Sequence, residues 1–242
     1  MLFERRNYTL KPGATPAFWQ AQEDRGWELV RPIQERLIGY FSNLSGPVDQ
    51  VTHLYRYDSY EDWKRRLHGL YAVPELEPYF QTVRGLMTAQ ENAFYVPAPV
   101  VALNPLWGGG ADWQPDQPLP RLAEASPRSL VQECCIALLP GAQPRYWQAW
   151  NELACDTGGA AILGRGSLIA CLVSQVGQQH QVLVYRHFAD LAAREQLDAA
   201  RQSHPIWRRF MSAVAPLIAT QTSRWLRPGP LPQLAPLFFH GD

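Results

Sequence analysis

His53 is the titratable side chain best placed for chemistry in this sequence. It lies between Thr52 and Leu54 in a segment that alternates like a β-strand, and Tyr55 and Tyr57 continue its face of the strand. A neutral imidazole facing an apolar cavity can act as a general base or polarise a carbonyl. His53 is therefore the candidate catalytic residue, and Tyr55 and Tyr57 are candidate ligand-binding residues. The competing interpretation is a core histidine whose nitrogens are satisfied by neighbours.

A second set of polar side chains lies in and around another strand-like segment. Alternation places Gln90 and Asn92 on one face of that strand and Glu91 on the other. Buried amides can orient a polar ligand, but they also satisfy backbone groups at a sheet edge. Arg6 and Arg84 can pair with an acidic ligand, the alternative being ordinary surface ion pairs. These two amides and two arginines complete the predicted ligand-binding set.

The sequence signatures of several enzyme classes are missing. There is no GxSxG, GxxxxGK[ST] or HExxH motif, and no GxGxxG follows a strand-like segment. No two of the six histidines have the i, i+4 spacing of a helical metal site, and no two cysteines form a CxxC pair. We therefore expect no metal and no cofactor.

Composition limits the class of protein. Hydrophobic residues make up 46% of the 242 residues and charged residues 18%, which is enough for a core and excludes global disorder. Lys plus Arg and Asp plus Glu number 22 each, so no basic excess is present to drive binding to nucleic acid. We expect no nucleic-acid partner.

Targeting signals are not apparent in the sequence. The first six residues include charges where a signal peptide would need an apolar stretch. Two uncharged runs, 92–111 and 166–185, reach 20 residues, but prolines interrupt the first and polar side chains the second, so we expect no membrane span. The four cysteines are interpreted as buried thiols in a reducing compartment. The expected location is cytoplasmic.

An internal repeat organises the chain. The segment Leu10–Ala21 recurs as Leu138–Ala149, with eight of twelve positions identical. The pair Tyr55-Arg56 matches Tyr185-Arg186 130 residues later, a register that puts Leu183 in the place of His53. Any site around His53 would then exist once. The sequence is interpreted as a tandem duplication.

The duplication defines four segments. Residues 1–97 form the first repeat and residues 129–228 the second. Residues 98–128 are rich in proline and glycine and are predicted to form an extended linker that packs along the surface as a strap. Residues 229–242 form a proline-rich C-terminal tail, a second strap.

Each repeat is predicted to have the order β-α-β-β-α-β. Thr15, followed by Pro16, is the predicted cap of the first helix, and Ser59 is the predicted cap of the second. The predicted strands of the first repeat are 2–10, 37–42, 51–57 and 87–96, and the second repeat has its first and last strands at 131–139 and 218–226.

The strand at 51–57 determines how the repeats pack. Neither of its faces is cleanly polar, so both are expected to be covered. Helices can cover one face, and the sheet of the other repeat can cover the second. We therefore predict an α+β fold in which two four-stranded antiparallel sheets pack face to face as a barrel ringed by helices.

The first repeat resembles the NIPSNAP family. The resemblance rests on segments that span the repeat in order: Tyr8–Gly13, Gly39–Phe41, Gly46-Pro47, His53–Ser59 and Gln90–Asn92. The second repeat is a degenerate match that lacks the histidine and the Glu-Asn pair. The resemblance implies ferredoxin-like βαββαβ repeats that form a dimeric α/β-barrel, here within one chain. It leaves the biochemical activity undefined.

Two functional hypotheses of different class follow. The first is a binding module for a small molecule or a protein partner, built on the barrel. The second is a cofactor-independent monooxygenase or isomerase that acts on an aromatic or polyketide-like compound in the barrel cavity, which rests on analogy of fold. The enzyme hypothesis expects an enclosed pocket that contains His53. Because one chain carries both copies, it can be a monomer shaped like a dimer or can associate further into a homo-oligomer.

Overall fold

Eight antiparallel strands close into a barrel with the helices on its outside, in a computed structural model that describes residues 1–107, 120, 122 and 124–239. The strands β1 to β8 are Leu2–Leu10, Leu37–Asn43, Gln50–Tyr57, Met87–Pro97, Leu130–Leu138, Leu168–Val176, Gln181–Phe188 and Ile218–Pro228. The helices α1 to α8 are Thr15–Asp24, Arg31–Gln34, Tyr60–Tyr71, Glu77–Leu86, Gln143–Cys155, Thr157–Ile162, Leu191–Ser203 and Pro205–Val214.

The order of the strands around the barrel reflects the duplication. It runs β1-β3-β2-β8-β5-β7-β6-β4, so each half contributes four neighbouring strands in the same relative order. The halves join edge to edge, where β2 pairs with β8 and β4 pairs with β6. Closure leaves no free sheet edge in the barrel. The predicted α+β barrel ringed by helices is confirmed, and its architecture fits a dimeric α/β-barrel formed by one chain.

Of the two helix caps predicted from the sequence, one is confirmed and one is wrong. Ser59 caps α3, where its hydroxyl accepts a hydrogen bond from the Asp62 N–H at 3.2 Å, as predicted. The predicted Thr15 cap is wrong. Helix α1 begins at Thr15 itself, after Ala14, and the Thr15 hydroxyl donates to Asp49 Oδ1 at 2.8 Å. The threonine therefore connects the helix to the loop before β3.

The barrel interior is filled by side chains from both halves. Leu54 and Val131 are buried there together with Trp107 from the predicted linker and Phe238 from the predicted tail. Trp107 has 0% exposure, so this part of the linker lies in the core and not on the surface. The rest of the linker at 108–119, 121 and 123, and the tail at 240–242, lie outside the described residues.

A polar cluster also occupies the barrel interior. The Glu133 carboxylate accepts a hydrogen bond from Arg224 Nε at 2.8 Å and from the Tyr185 hydroxyl, and Arg5 Nη1 lies 3.8 Å away. Arg224 Nη2 also donates to Thr52 of the first half at 3.0 Å. Burial favours the neutral acid, but the two arginines outweigh it and hold the pKa of Glu133 below its usual value. Two arginines therefore share one carboxylate in this cluster, and the hydrogen bond from Arg224 to Thr52 links the two halves.

The register of the strands corrects the alignment of the two halves. Arg6 is opposite His53 in the first half, and Cys134, 128 residues after Arg6, is opposite Val184 in the second. Val184 therefore takes the place of His53, and the expectation that Leu183 does so is wrong. A one-residue slip moves a side chain to the other face of a sheet, and Leu183 accordingly lies in the barrel core.

Candidate functional site

Four of the predicted site residues are buried in one layer, between the outer face of the first-half sheet and the helices that cover it, and the other three, Arg84, Gln90 and Asn92, are exposed. The side chains on β1, β3 and β4 that face this layer alternate with those that face the barrel interior. The members of the set are Arg6 on β1, His53, Tyr55 and Tyr57 on β3, Arg84 on α4, and Gln90 and Asn92 on β4.

His53 is enclosed by aromatic rings. Its imidazole stacks on Tyr40 with a centroid distance of 3.6 Å and an interplanar angle of 11°, and Tyr8 meets it edge-on at 4.4 Å. It is 1% exposed, and neither nitrogen has a hydrogen-bond partner among the described residues. Burial, helped by the charges of Arg6 and Arg25, lowers the pKa of His53 well below its usual value, so the ring is neutral at pH 7.

Arg6 is neutralised inside the protein. Its Nη2 lies 2.7 Å from Glu4 Oε2, and its guanidinium lies over the Tyr55 ring at 4.8 Å. Glu4 also accepts hydrogen bonds from Asn92 at 2.8 Å and from the Tyr57 hydroxyl at 3.3 Å. Burial opposes the charge of Arg6, but the carboxylate outweighs burial and the pKa of Arg6 lies above its ordinary value. The charge of this arginine is matched without a ligand.

Little open space remains beside these residues. A cavity of about 60 Å³, which we call the first-half cavity, is lined by Arg6, Tyr55, Arg84 and Gln90 among others. His53 does not line it. Such a volume holds a few water molecules and is well below the ~300 Å³ of a small ligand pocket.

The equivalent layer of the second half contains a much larger space. A cavity of about 420 Å³, which we call the second-half cavity, lies between the outer face of β5, β7 and β8 and the helices α5, α7 and α8. Its volume falls within the range of small-molecule sites. Its apolar and aromatic walls are formed by Tyr146, Trp150, Val184, Trp207, Phe210 and Val214.

Arg186 is the buried charge of the second-half cavity. It is 5% exposed, and its Nη1 donates to the Gly164 carbonyl at 3.0 Å and to the Ser167 hydroxyl at 2.9 Å. No carboxylate of the described chain lies within 4.0 Å of it. Burial, followed by the nearby charge of Arg201, lowers the pKa of Arg186 to about 9, so the arginine keeps its charge at pH 7.

Helix α7 brings three more charges to the cavity wall. Arg194 Nη2 pairs with Asp198 Oδ2 at 2.7 Å. Arg201 donates to the Ile162 carbonyl and stacks over the Trp207 ring at 4.6 Å. Burial lowers the pKa of Arg201 to about 10. Since one aspartate faces three arginines, the wall carries excess positive charge.

A difference between α3 and α7 explains why the second half has the larger space. Ser59 caps α3 and Asp190 caps α7, and the two caps lie 131 residues apart. The same offset of 131 relates each residue on the sheet-covering face of α3 to its counterpart on α7. On α3 that face carries Trp63, Leu67 and Leu70, which pack against the first-half core. Their counterparts on α7 are the three charged residues Arg194, Asp198 and Arg201, and α7 has no buried residue.

The sequence analysis missed these arginines. A signal was available in the sequence. At positions i, i+4 and i+7 of the equivalent helices, the apolar residues of α3 are replaced by charged residues in α7. A helix face that covers a sheet is normally apolar, so charges at these positions indicate a second function for that face. All the predicted site residues belong to the first copy, so the charged residues that only the second copy has on this helix were not among them.

Three further features bear on the expectations from sequence. Within the ranges that the structure describes, no three His, Cys, Asp or Glu side chains gather as a possible metal site. None of the helices described here is long and apolar enough to cross a membrane. Cys171 is buried and Cys155 is exposed, so the expectation of buried thiols is wrong for Cys155.

Several solved structures are similar to this chain in sequence or in fold. Protein Atu4242 of Agrobacterium tumefaciens is 33% identical over 41% of this chain and 95% of its own, with a TM-score of 0.39. An uncharacterized NIPSNAP-like domain protein of Burkholderia xenovorans is 33% identical over 48% of this chain and 97% of its own, with a TM-score of 0.40. A candidate monooxygenase of Lactobacillus acidophilus NCFM covers 94% of this chain and 93% of its own with a TM-score of 0.60, but its 10% identity shows a shared fold only.

No curated protein matches the sequence. The NIPSNAP family profile, in contrast, matches residues 3–102 and again residues 141–232. The two matches fall in the two halves that the internal repeat defines and together cover most of the chain. This chain therefore belongs to the NIPSNAP family, and it carries the family's domain twice in tandem.

Proposed function

We propose that this protein is a small-molecule binding module whose ligand occupies the second-half cavity. The observation that carries the proposal is a space of about 420 Å³, walled by aromatic side chains, with the buried Arg186, which pairs with no carboxylate among the residues that the structure describes. Ligand sites in proteins combine mostly apolar walls with a few convergent polar groups. The second-half cavity has that composition.

The first half supports the proposal as an internal control. It has the same order of strands and main helices, yet the cavity in its equivalent layer measures about 60 Å³ and the arginine of that layer is paired with Glu4; its larger spaces, of about 350 and 320 Å³, lie among the helices and not over the sheet. A packing defect of the fold would be expected in both copies. The difference between the halves in this layer, as far as the described residues show it, favours a role for the second-half cavity.

The proposed binding module is one chain whose two halves are arranged like the subunits of a dimer. We propose that residues 1–97 and 129–228 are ferredoxin-like repeats, joined by a linker at 98–128 and followed by a tail at 229–242. The relative strand order β4-β1-β3-β2, repeated as β8-β5-β7-β6, supports this assignment. Closure within one chain favours a monomer. Association into a homo-oligomer or with a protein partner stays a prediction.

A cytoplasmic location, suggested by the free cysteines, also stays a prediction.

The enzymatic alternative also stays a prediction. The candidate monooxygenase from Lactobacillus has this fold, but at 10% identity the shared fold does not assign its activity to this chain. Within the described part of the chain, His53 lines neither the first-half nor the second-half cavity, and Tyr40 and Tyr8 pack against its ring. A loss of turnover in His53→Ala on an aromatic substrate would support the alternative, whereas unchanged turnover would remove His53 from it.

Filling the cavity tests the binding proposal. The double variant Arg194→Trp/Asp198→Leu installs the residues of α3, removes both members of an ion pair and leaves the summed charge of the wall unchanged. Isothermal titration with 2-naphthoate and its neutral isostere 2-naphthamide would be compared between wild type and variant. We expect at least one of the two probes to bind wild type. The variant should bind that probe at least about ten-fold more weakly than wild type does.

A control variant separates filling from nonspecific effects. Glu195 lies exposed on α7 and does not line the cavity, so Glu195→Leu should leave the affinity within about two-fold. If neither probe binds, or if binding persists unchanged in the filled variant, the proposed function is wrong.

A further inference from the structure

We propose that the ligand of the second-half cavity is an amphipathic anion whose carboxylate pairs with Arg186 and whose apolar body lies along the aromatic wall. This inference rests on the proposed function and names the chemical class of the ligand. It is argued from the charges of the two halves, from the state of Arg186 and from the shape of the wall.

The first step compares equivalent positions of the halves. In the first half, Glu4 supplies the carboxylate that neutralises Arg6 in the layer between sheet and helices. Gln132, 128 residues after Glu4, takes its place in the second half and lies directly opposite Arg186 across the strand pair. Cys134 stands at the position of Arg6, and Arg186 stands at the position of Tyr55, so this layer of the second half has its own buried arginine and lacks the acid of the first half. A ligand carboxylate would supply the missing charge.

The second step concerns the cost of leaving Arg186 alone. A buried charge without a partner is expensive, and such groups in proteins are normally paired. Only Nη1 of Arg186 makes hydrogen bonds within the described chain, so the remaining donors of the guanidinium are available. Two guanidinium N–H groups match the two oxygens of a carboxylate in a bidentate pair. The excess positive charge from α7 adds to this attraction.

The third step concerns the rest of the ligand. Trp150 and Phe210 meet with ring centroids 4.4 Å apart, and Trp207 lies 5.1 Å from Phe210, which makes one wall of the cavity aromatic. Gln202 and Gln221, by contrast, are exposed at the cavity. Such a wall favours a flat apolar body, and the volume of about 420 Å³ limits the ligand to a small molecule.

Restoring the internal acid provides the sharpest test. The variant Gln132→Glu places a carboxylate opposite Arg186, as Glu4 is placed beside Arg6, and should compete with an anionic ligand. We expect wild type to bind 2-naphthoate at least about ten-fold more tightly than 2-naphthamide. Gln132→Glu should weaken 2-naphthoate by at least about ten-fold and change 2-naphthamide by no more than about two-fold.

The folded state of the variant is checked in the same experiment. Pairing of the new carboxylate with Arg186 should raise the thermal unfolding midpoint of Gln132→Glu, and a second variant, Arg186→Gln, should remove the preference for 2-naphthoate. Arg209 lies exposed on α8 and does not line the cavity, so Arg209→Gln is the matched control and should keep the preference.

The outcomes separate this inference from the proposed function. If filling the cavity abolishes binding of both probes, but wild type does not prefer 2-naphthoate or Gln132→Glu weakens both probes alike, the ligand is not an anion and only this inference is wrong. If binding does not respond to filling, the site itself is wrong.

Discussion

The buried arginines in the equivalent layers of the two halves have different partners. Arg6 is paired with Glu4 at 2.7 Å, whereas Arg186 contacts a carbonyl and a hydroxyl and faces Gln132 across the sheet. The first arrangement is complete in the free protein. The second leaves a charge that a ligand can satisfy, so the contrast locates the proposed function in the second half.

The first prediction at this scale concerns Glu4. The variant Glu4→Gln leaves Arg6 buried without its carboxylate, so the free energy of unfolding should fall by about 3 kcal/mol. Chemical denaturation measures the loss. Glu91, exposed on the same sheet, provides the control Glu91→Gln, which should change stability by less than about 0.5 kcal/mol. A similar small effect for both variants would contradict the assigned role of Glu4.

The second prediction concerns His53 and pH. Its pKa is lower in the folded than in the unfolded chain, so the unfolded chain binds more protons below about pH 6.5. His53 therefore makes wild type lose stability as the pH falls below that value, by at most about 1.4 kcal/mol per unit.

The variant His53→Phe keeps the stack on Tyr40 and removes the titration. Denaturation at about pH 7.5 and about pH 5 should show a smaller loss in the variant than in wild type. Parallel pH profiles for the two proteins would show that His53 is not desolvated in solution.

Among the elements, α3 and α7 account for the different cavities. They share a capped start and a place over the sheet, but α3 presents Trp63 and Leu67 where α7 presents Arg194 and Asp198. Filling the cavity with the α3 residues, as in Arg194→Trp/Asp198→Leu, should raise the free energy of unfolding by about 1–3 kcal/mol because apolar surface is buried. A decrease in stability would contradict the equivalence of the two helices.

The elements also show what sequence could predict. The bounds of β1 and the duplication were predictable, since strand alternation and the repeated Leu-x-Pro-Gly-Ala turn are local signals. The register of β7 was not, because the identical Tyr-Arg pairs of the two copies lie one position out of structural alignment. His53 and Arg6 were predicted as members of one site in the barrel cavity, but the structure places both in the layer outside the sheet, and the second-half cavity depends on three strands and three helices that no single segment encodes.

On the scale of the whole molecule, each half covers the inner sheet face of the other. Trp107 and Phe238, from segments outside the strands and helices, complete the shared core, and Trp107 meets Phe3 edge-on at 5.2 Å. The variant Trp107→Ala should therefore lower the free energy of unfolding by about 3–5 kcal/mol, although the residue lies in the linker. Circular dichroism and fluorescence during denaturation should still follow one transition. A loss below about 1 kcal/mol would place Trp107 outside the core.

A crystal structure of the protein with 2-naphthoate tests the central claim most directly. The account predicts that the naphthalene ring lies against Trp150 and Phe210 in the second-half cavity, with the carboxylate within about 3.2 Å of the Arg186 guanidinium. The first-half cavity should contain no naphthoate. A carboxylate bound away from Arg186, or naphthoate bound in the barrel interior or beside His53, would contradict the account.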